Sequence, residues 1–181
     1  MQVKDIIKLA CNFTENEDMV SAIENNTLSA DQLLILDCLV NCFNLVYDEI
    51  ATDYIPCLKT ETFVPISSKI ALTEFQNFID ILSVKDVNGK NLKYKIINNY
   101  VVVDAQEVSI TYSTHPTKLN INQSFTSLIP ERVFAYGTAR EYYFIKTLFD
   151  DASVWENRFK DSLQVLSKKK TEVVMPGRRW I

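Results

Sequence analysis

The stretch LSADQLLILDCLVNCFNLVYDEIATDYIP, residues 28–56, spaces its apolar side chains at Leu33, Leu36, Leu39/Val40, Phe43, Val46/Tyr47, Ile50 and Tyr54. Steps of three and four hold these residues on one side of a helix for roughly six turns. Ser29 is suited to cap the first turn, and Asp31 to meet the positive end of the helix dipole. Pro56 sets the far limit, because the residue before a proline is pushed out of the helical region.

Downstream of Pro56 the period changes. Residues 60–113 carry alternating runs in TETFVPI, ILSVKDV and LKYKII, then the β-branched and aromatic runs YVVVD and EVSITYS. Asn88-Gly89 predicts a type I′ hairpin turn, which needs positive φ at both residues, and Asn98-Asn99 predicts the next tight turn. Lys93 and Lys95 are expected to face solvent, with Tyr94 and Ile96 inward. The segment reads as a meander of roughly five or six strands. SKIALTEFQNF, residues 68–78, fits either a strand with a loop or a short helical turn.

Upstream, Val3, Ile6, Ile7 and Ala10 share one face of a short helix over Val3–Phe13, and a second short helix is expected to reach Glu24. Beyond the polar connection THPTKLNINQSFTSLIP, Pro130 is expected at the first position of another helix. Val133, Phe134, Gly137, Arg140/Glu141, Phe144/Ile145 and Leu148 trace that helix, which Asp150-Asp151 breaks or re-caps. Trp155, Phe159, Leu163 and Leu166 keep helical spacing to about Lys169.

The layout predicts an α+β chain. Helices from the two ends, residues 1–58 and 117–170, form a bundle; an antiparallel β domain, 59–116, is inserted; and 171–181 is an extended basic tail. A chain of 181 residues can bury enough surface to fold without staples. The net charge of -4 is unevenly spread: Lys168, Lys169, Lys170, Arg178 and Arg179 against Glu172 give the tail +4, so the preceding 167 residues carry -8. An acidic body argues against broad binding to a nucleic-acid backbone. Met1–Leu9 lacks a signal-peptide pattern, and no apolar run is long enough to span a bilayer. These features predict a protein made in a cytoplasm, or in a particle assembled there, with no membrane partner.

Chemical motifs are sparse. The three glycines, Gly89, Gly137 and Gly177, form no phosphate-cradling loop. His115 stands in a loop with no accompanying nucleophile motif and reads as an ordinary loop histidine. Asp48-Glu49 and Asp150-Asp151 read as solvated faces and dipole caps rather than metal ligands. Cys11, Cys38, Cys42 and Cys57 form no CxxC pair; Cys38 and Cys42, four apart on a helix, are badly aimed for a disulfide. They read as small buried apolar residues. No enzymatic activity, cofactor or metal is expected.

Two segments invite an interaction reading. AYGTAREYYFIK, residues 135–146, crowds Tyr136, Arg140, Tyr143 and Phe144 onto one helix, with Arg140 and Glu141 too close in sequence to share a face. That helix is either buried on several sides within one chain or covered partly by another subunit, since interfaces favour Tyr and Arg. The tail SKKKTEVVMPGRRWI combines Lys168, Lys169, Lys170, Arg178 and Arg179 with Val174, Met175, Trp180 and Ile181. Disordered ends are poor in large apolar residues, so the tail reads as a docking peptide rather than a frayed terminus.

The order of FNLVYDEIATDYIP, a small β domain, PERVFAYGTAREYYF, WENRFKDSL and a basic tail resembles the head-to-tail adaptor (connector or neck) proteins of tailed bacteriophages, of the tail-tubular type. The resemblance spans residues 29–170 and rests on helix and sheet patterns, not catalytic signatures. It implies a virion protein of the neck: a homo-oligomeric ring, typically of twelve copies, beneath the portal protein. The helical part docks on the portal, the β part faces the next tail or neck protein, and terminal extensions insert into neighbours. Genome DNA passes through the bore without specific binding. The alternative is a monomeric binding or regulatory protein whose basic aromatic tail contacts nucleic acid or an acidic partner.

Overall fold

The computed structural model describes the backbone of residues 1–168 and the side chains of residues 1–166. The protein is α+β. Among the described residues, five α-helices, α1 (Val3–Phe13), α2 (Asp18–Asn25), α3 (Ala30–Glu49), α4 (Glu131–Ile145) and α5 (Phe149–Lys168), come before and after six strands in the sequence. The strands are β1 (Cys57–Phe63), β2 (Lys69–Ala71), β3 (Phe78–Lys85), β4 (Lys95–Ile97), β5 (Tyr100–Val102) and β6 (Val108–Thr114). The chain divides into two compact units, one of Met1–Val46 with Lys118 onward, the other of Tyr47–Thr117.

In the first unit α1 packs on α2 and α4, and α4 on α5. Val3, Ile6, Ile7, Phe43, Phe134 and Phe159 are fully buried there. Ser29 caps α3 through a reciprocal pair: its hydroxyl accepts from the Gln32 amide N–H, and the Ser29 N–H donates to Gln32 Oε1. Leu33, expected on the buried face of α3, is instead 48% exposed. The connection after His115 is firmly held, for Val3 N–H donates to Gln123 O at 3.0 Å and Gln2 bridges Ser124. Asn44 clamps it again: its Nδ2 donates to Leu119 O at 2.9 Å, while Leu119 N–H donates to Asn44 Oδ1 at 2.8 Å. Pro130, with φ -61° and ψ 147°, is the residue before α4 rather than its first helical residue.

In the second unit the last turns after α3 widen into a π-helical turn, Ile50–Tyr54, and Pro56 then stops the helix as expected. The six strands make two antiparallel sheets, β1-β6-β3 and β2-β5-β4, rather than one meander. Burial explains the difference. VSITYST in β6 buries Val108, Ile110, Tyr112 and Ser113, so it takes the central position and pairs with both β1 and β3. The two sheets share one core that includes Ile70, Phe75, Ile81, Val101, Ile110 and Tyr112.

Turns decide the rest. Asn98 and Asn99, at φ 48° and 64°, form the two-residue turn that joins β4 to β5. At Asn88-Gly89 only Gly89 has positive φ (79°), so the expected type I′ turn is replaced. Asp86 organises the reversal, its Oδ1 accepting from the N–H groups of Asn88 and Lys90. Residues 68–78 satisfy both open readings, with β2 followed by a 3₁₀ turn at Leu72–Glu74. Ile96 does not face inward: β4 is an edge strand and Ile96 is 47% exposed, whereas Tyr94 is half-buried and donates its hydroxyl to Ile81 O.

Candidate functional site

Helix α4 is buried on several sides within its own unit. Gly137 makes this possible, because its missing side chain leaves space filled by Val46 and Phe159. Tyr136 joins Phe13 and Trp155 in an aromatic cluster, with ring centroids 5.3 and 5.6 Å away, and the Arg158 guanidinium lies 4.8 Å over Trp155. Tyr143 donates its hydroxyl to Phe13 O at 3.1 Å, and burial pushes its phenol pKa upward. Arg140, only 5% exposed, lies over the Phe159 ring and bridges Glu141 at 2.6 Å and Glu156 at 2.8 Å.

The Arg140–Glu141 pair corrects the expectation that neighbours on a helix stay apart. A long guanidinium turned back along the helix can meet the carboxylate next door. Burial pushes the Glu156 carboxyl up, but hydrogen bonds from Lys160 and Arg140 outweigh it and hold the group below its ordinary value.

Of the four residues considered for an interface, Tyr136, Arg140 and Tyr143 are thus engaged inside the unit, while Phe144 is 42% exposed. Phe144 is not alone. The expected long helix stops at Ile145, and Thr147 takes a left-handed conformation at φ 59°. Leu148 N–H returns to Tyr143 O and Thr147 N–H to Phe144 O, a helix ending that usually calls for glycine. The bend leaves Ile145, Leu148 and Phe149 at 54%, 49% and 62% exposure, beside Phe144. Phe144 and Phe149 rings meet at 6.3 Å. The sequence does not announce this apolar elbow, because the helical period continues through FIKTLF and assigns Ile145 and Leu148 inward. Asp150 and Asp151 fall in the first turn of α5, as dipole capping requires.

His115 is not an isolated loop residue. Its Nδ1 lies 2.7 Å from Asp48 Oδ1, within the second unit, with both side chains about half exposed (48% and 47%). Nearby chemistry is not that of an activated nucleophile. Burial pushes the pKa of the Cys57 thiol up. Burial likewise raises Cys11 to about 11 and raises Cys42 further. All four cysteines are free.

Among the described residues no group of three or more His, Cys, Asp or Glu side chains is placed to hold a metal ion. No described helix is long and apolar enough to cross a membrane. Of the tail residues, Lys168 is the last described position of α5, and Lys169, Lys170, Val174, Met175, Arg178, Arg179, Trp180 and Ile181 lie outside the described residues. No family model matches the chain, and no curated protein matches it.

Proposed function

We propose that this chain is a structural virion protein of the head-to-tail adaptor type. It forms a homo-oligomeric ring that joins the portal to the next tail or neck protein, with genome DNA passing through the bore without specific binding. In this reading the first unit is a helical bundle, the second a β domain inserted into it, and residues 168–181 a docking tail. The observation that carries the reading is the interrupted layout: residues on both sides of 47–117 gather into one helical unit, and the segment between them gathers into a separate β unit. The charge of -8 on residues 1–167 supports a channel wall that does not grip DNA.

The test is co-expression with the portal protein of the same genome, followed by electron microscopy. The expected result is a ring stacked on the portal. A chain that ignores the portal, and instead binds nucleic acid with steep salt dependence, overturns the reading in favour of the regulatory alternative. Deleting residues 171–181 is expected to leave the described units folded and abolish docking, and Trp180→Ala to cost about 2 kcal/mol of binding.

A further inference from the structure

The sheet β1-β6-β3 has two edges, and they are finished differently. A bare edge strand offers unpaired N–H and C=O groups to any other strand, and proteins commonly blunt such an edge with bulges or cover it. The β3 edge has both protections. Its register with β6 shifts twice, between Phe78 and Asp80 and between Ile81 and Ser83. The chain then returns over it: Leu92 N–H donates to Val84 O at 2.8 Å, and the Tyr94 hydroxyl donates to Ile81 O at 3.2 Å. The β1 edge has neither. Its seven residues, Cys57–Phe63, pair with β6 in unbroken register and include no proline. Among the described residues no backbone hydrogen bond reaches β1 from its outer side. Leu58, at 57% exposure, stands with exposed Thr60 and Thr62 along one face. The one lysine on the strand does not guard the edge, since Lys59 is drawn to Glu61 at 2.8 Å and to Gln76 at 2.9 Å.

The side chains of β1 say what fits the edge. Two identical strands paired antiparallel bring outward backbone groups to outward groups only when the two-fold axis passes through a residue. An axis at Lys59 sets lysine against lysine, and an axis at Glu61 sets glutamate against glutamate. An axis at Thr60, the midpoint of Cys57–Phe63, overlaps all seven residues and sets Lys59 of each copy opposite Glu61 of the other. Lys59 and Glu61 already meet along their own strand, so the pairing builds a square of alternating charge. On the opposite face each Leu58 comes to lie against Thr62 of the other copy. We propose that the β1 edge is a self-recognition surface, on which β1 of a second copy pairs antiparallel about Thr60 to give one six-stranded sheet, β3-β6-β1-β1-β6-β3. Such a contact is isologous and closes on two copies, so it does not propagate round a ring and stands apart from the adaptor reading.

The experiment is sedimentation velocity on the full chain over a range of concentrations, with Lys59→Glu and Glu61→Lys made separately. The expected wild-type species is a dimer. Each variant sets like charges opposite each other at both symmetric positions, and its self-association is expected to weaken on the order of tenfold. Mixed 1:1, the two variants are complementary again, so heterodimers form with close to wild-type affinity, and added salt narrows these differences. Glu61→Lys also removes the acceptor of the Tyr112 hydroxyl, so circular dichroism checks the fold, and a second measurement leaves the charges alone. Thr60→Cys places two thiols on the axis, with α-carbons about 4.5–5.5 Å apart, a span that a disulfide bridges; at Thr62→Cys the separation is about 14 Å. Mild oxidation is expected to give covalent dimer above the wild-type background from Thr60→Cys and not from Thr62→Cys.

A wild type that stays monomeric at every concentration overturns the contact. So do folded single variants that associate like the wild type, a mixture that fails to recover, and a Thr62→Cys chain that cross-links as readily as Thr60→Cys.

Discussion

Gly137 and Arg140 show how much one residue can hold in this chain. A β-carbon at Gly137 would come within 2.5 Å of Val46 Cγ1 and 3.0 Å of Phe159 Cε2, closer than packed side chains tolerate. Gly137→Ala is expected to lower stability by about 1–3 kcal/mol in urea titrations, and a second change, Val46→Ala, to return part of the loss. Arg140 joins two carboxylates, those of Glu141 and Glu156. The folded pKa of Glu156 lies below the ordinary 4.5, because hydrogen bonds from Lys160 and Arg140 overcome the effect of burial. A carboxyl depressed by folding contributes stability that is complete above its unfolded pKa and disappears as pH falls through the folded one. The loss therefore starts as pH drops below about 4.5. Glu156→Gln is expected to reduce Tm at neutral pH and to flatten the decline in acid, measured by thermal melts from about pH 7 to about pH 3.

At the scale of elements, periodicity was most legible where one face is buried without interruption. Val3–Phe13 is helical over the range expected, and the α3 pattern through Phe43 and Val46 lands in the core. The strand region was recognisable from its alternation, but its pairing was not, since alternation tells which face is buried and not which strand lies next. The central place of β6 follows from competition for the most buried position, a property of the whole unit. Asn98-Asn99 was readable because two successive positive φ values suit Asn, whereas Asp86 drew the neighbouring reversal into a different turn. The elbow was unreadable for a related reason: its left-handed position holds threonine, where glycine would have announced the helix end. Thr147→Gly should relieve about 1 kcal/mol of left-handed strain, seen as a higher midpoint in chemical denaturation. An unchanged or lower midpoint would mean that the threonine side chain compensates.

For the whole molecule, each unit fastens the two passages of chain that leave it. In the first, Asn44 and Leu119 exchange two hydrogen bonds; in the second, Asp48 meets His115. Replacing residues 47–117 by a linker of about four to six glycines is therefore expected to leave a folded helical unit, because the ends being joined are already tied together. Far-ultraviolet circular dichroism and a cooperative melt would verify it; loss of helicity would show that the first unit does not stand on its own. Asn44→Leu in the same deletion removes the clamp and should cost about 1–3 kcal/mol through the unsatisfied Leu119 backbone groups.

The Asp86 turn also bears on chemical ageing. In a loose chain an Asn-Gly step cyclises when the glycine nitrogen attacks the asparagine side-chain carbonyl; ammonia leaves, and hydrolysis of the ring adds a negative charge. Here the attacking nitrogen, Gly89 N, donates to Asp86 O at 3.0 Å, and the Asn88 N–H is held by the Asp86 carboxylate. Intact turns hold back the reaction, while unfolded ones release it. The fraction of chains deamidated at Asn88 therefore records how much time the β unit has spent open.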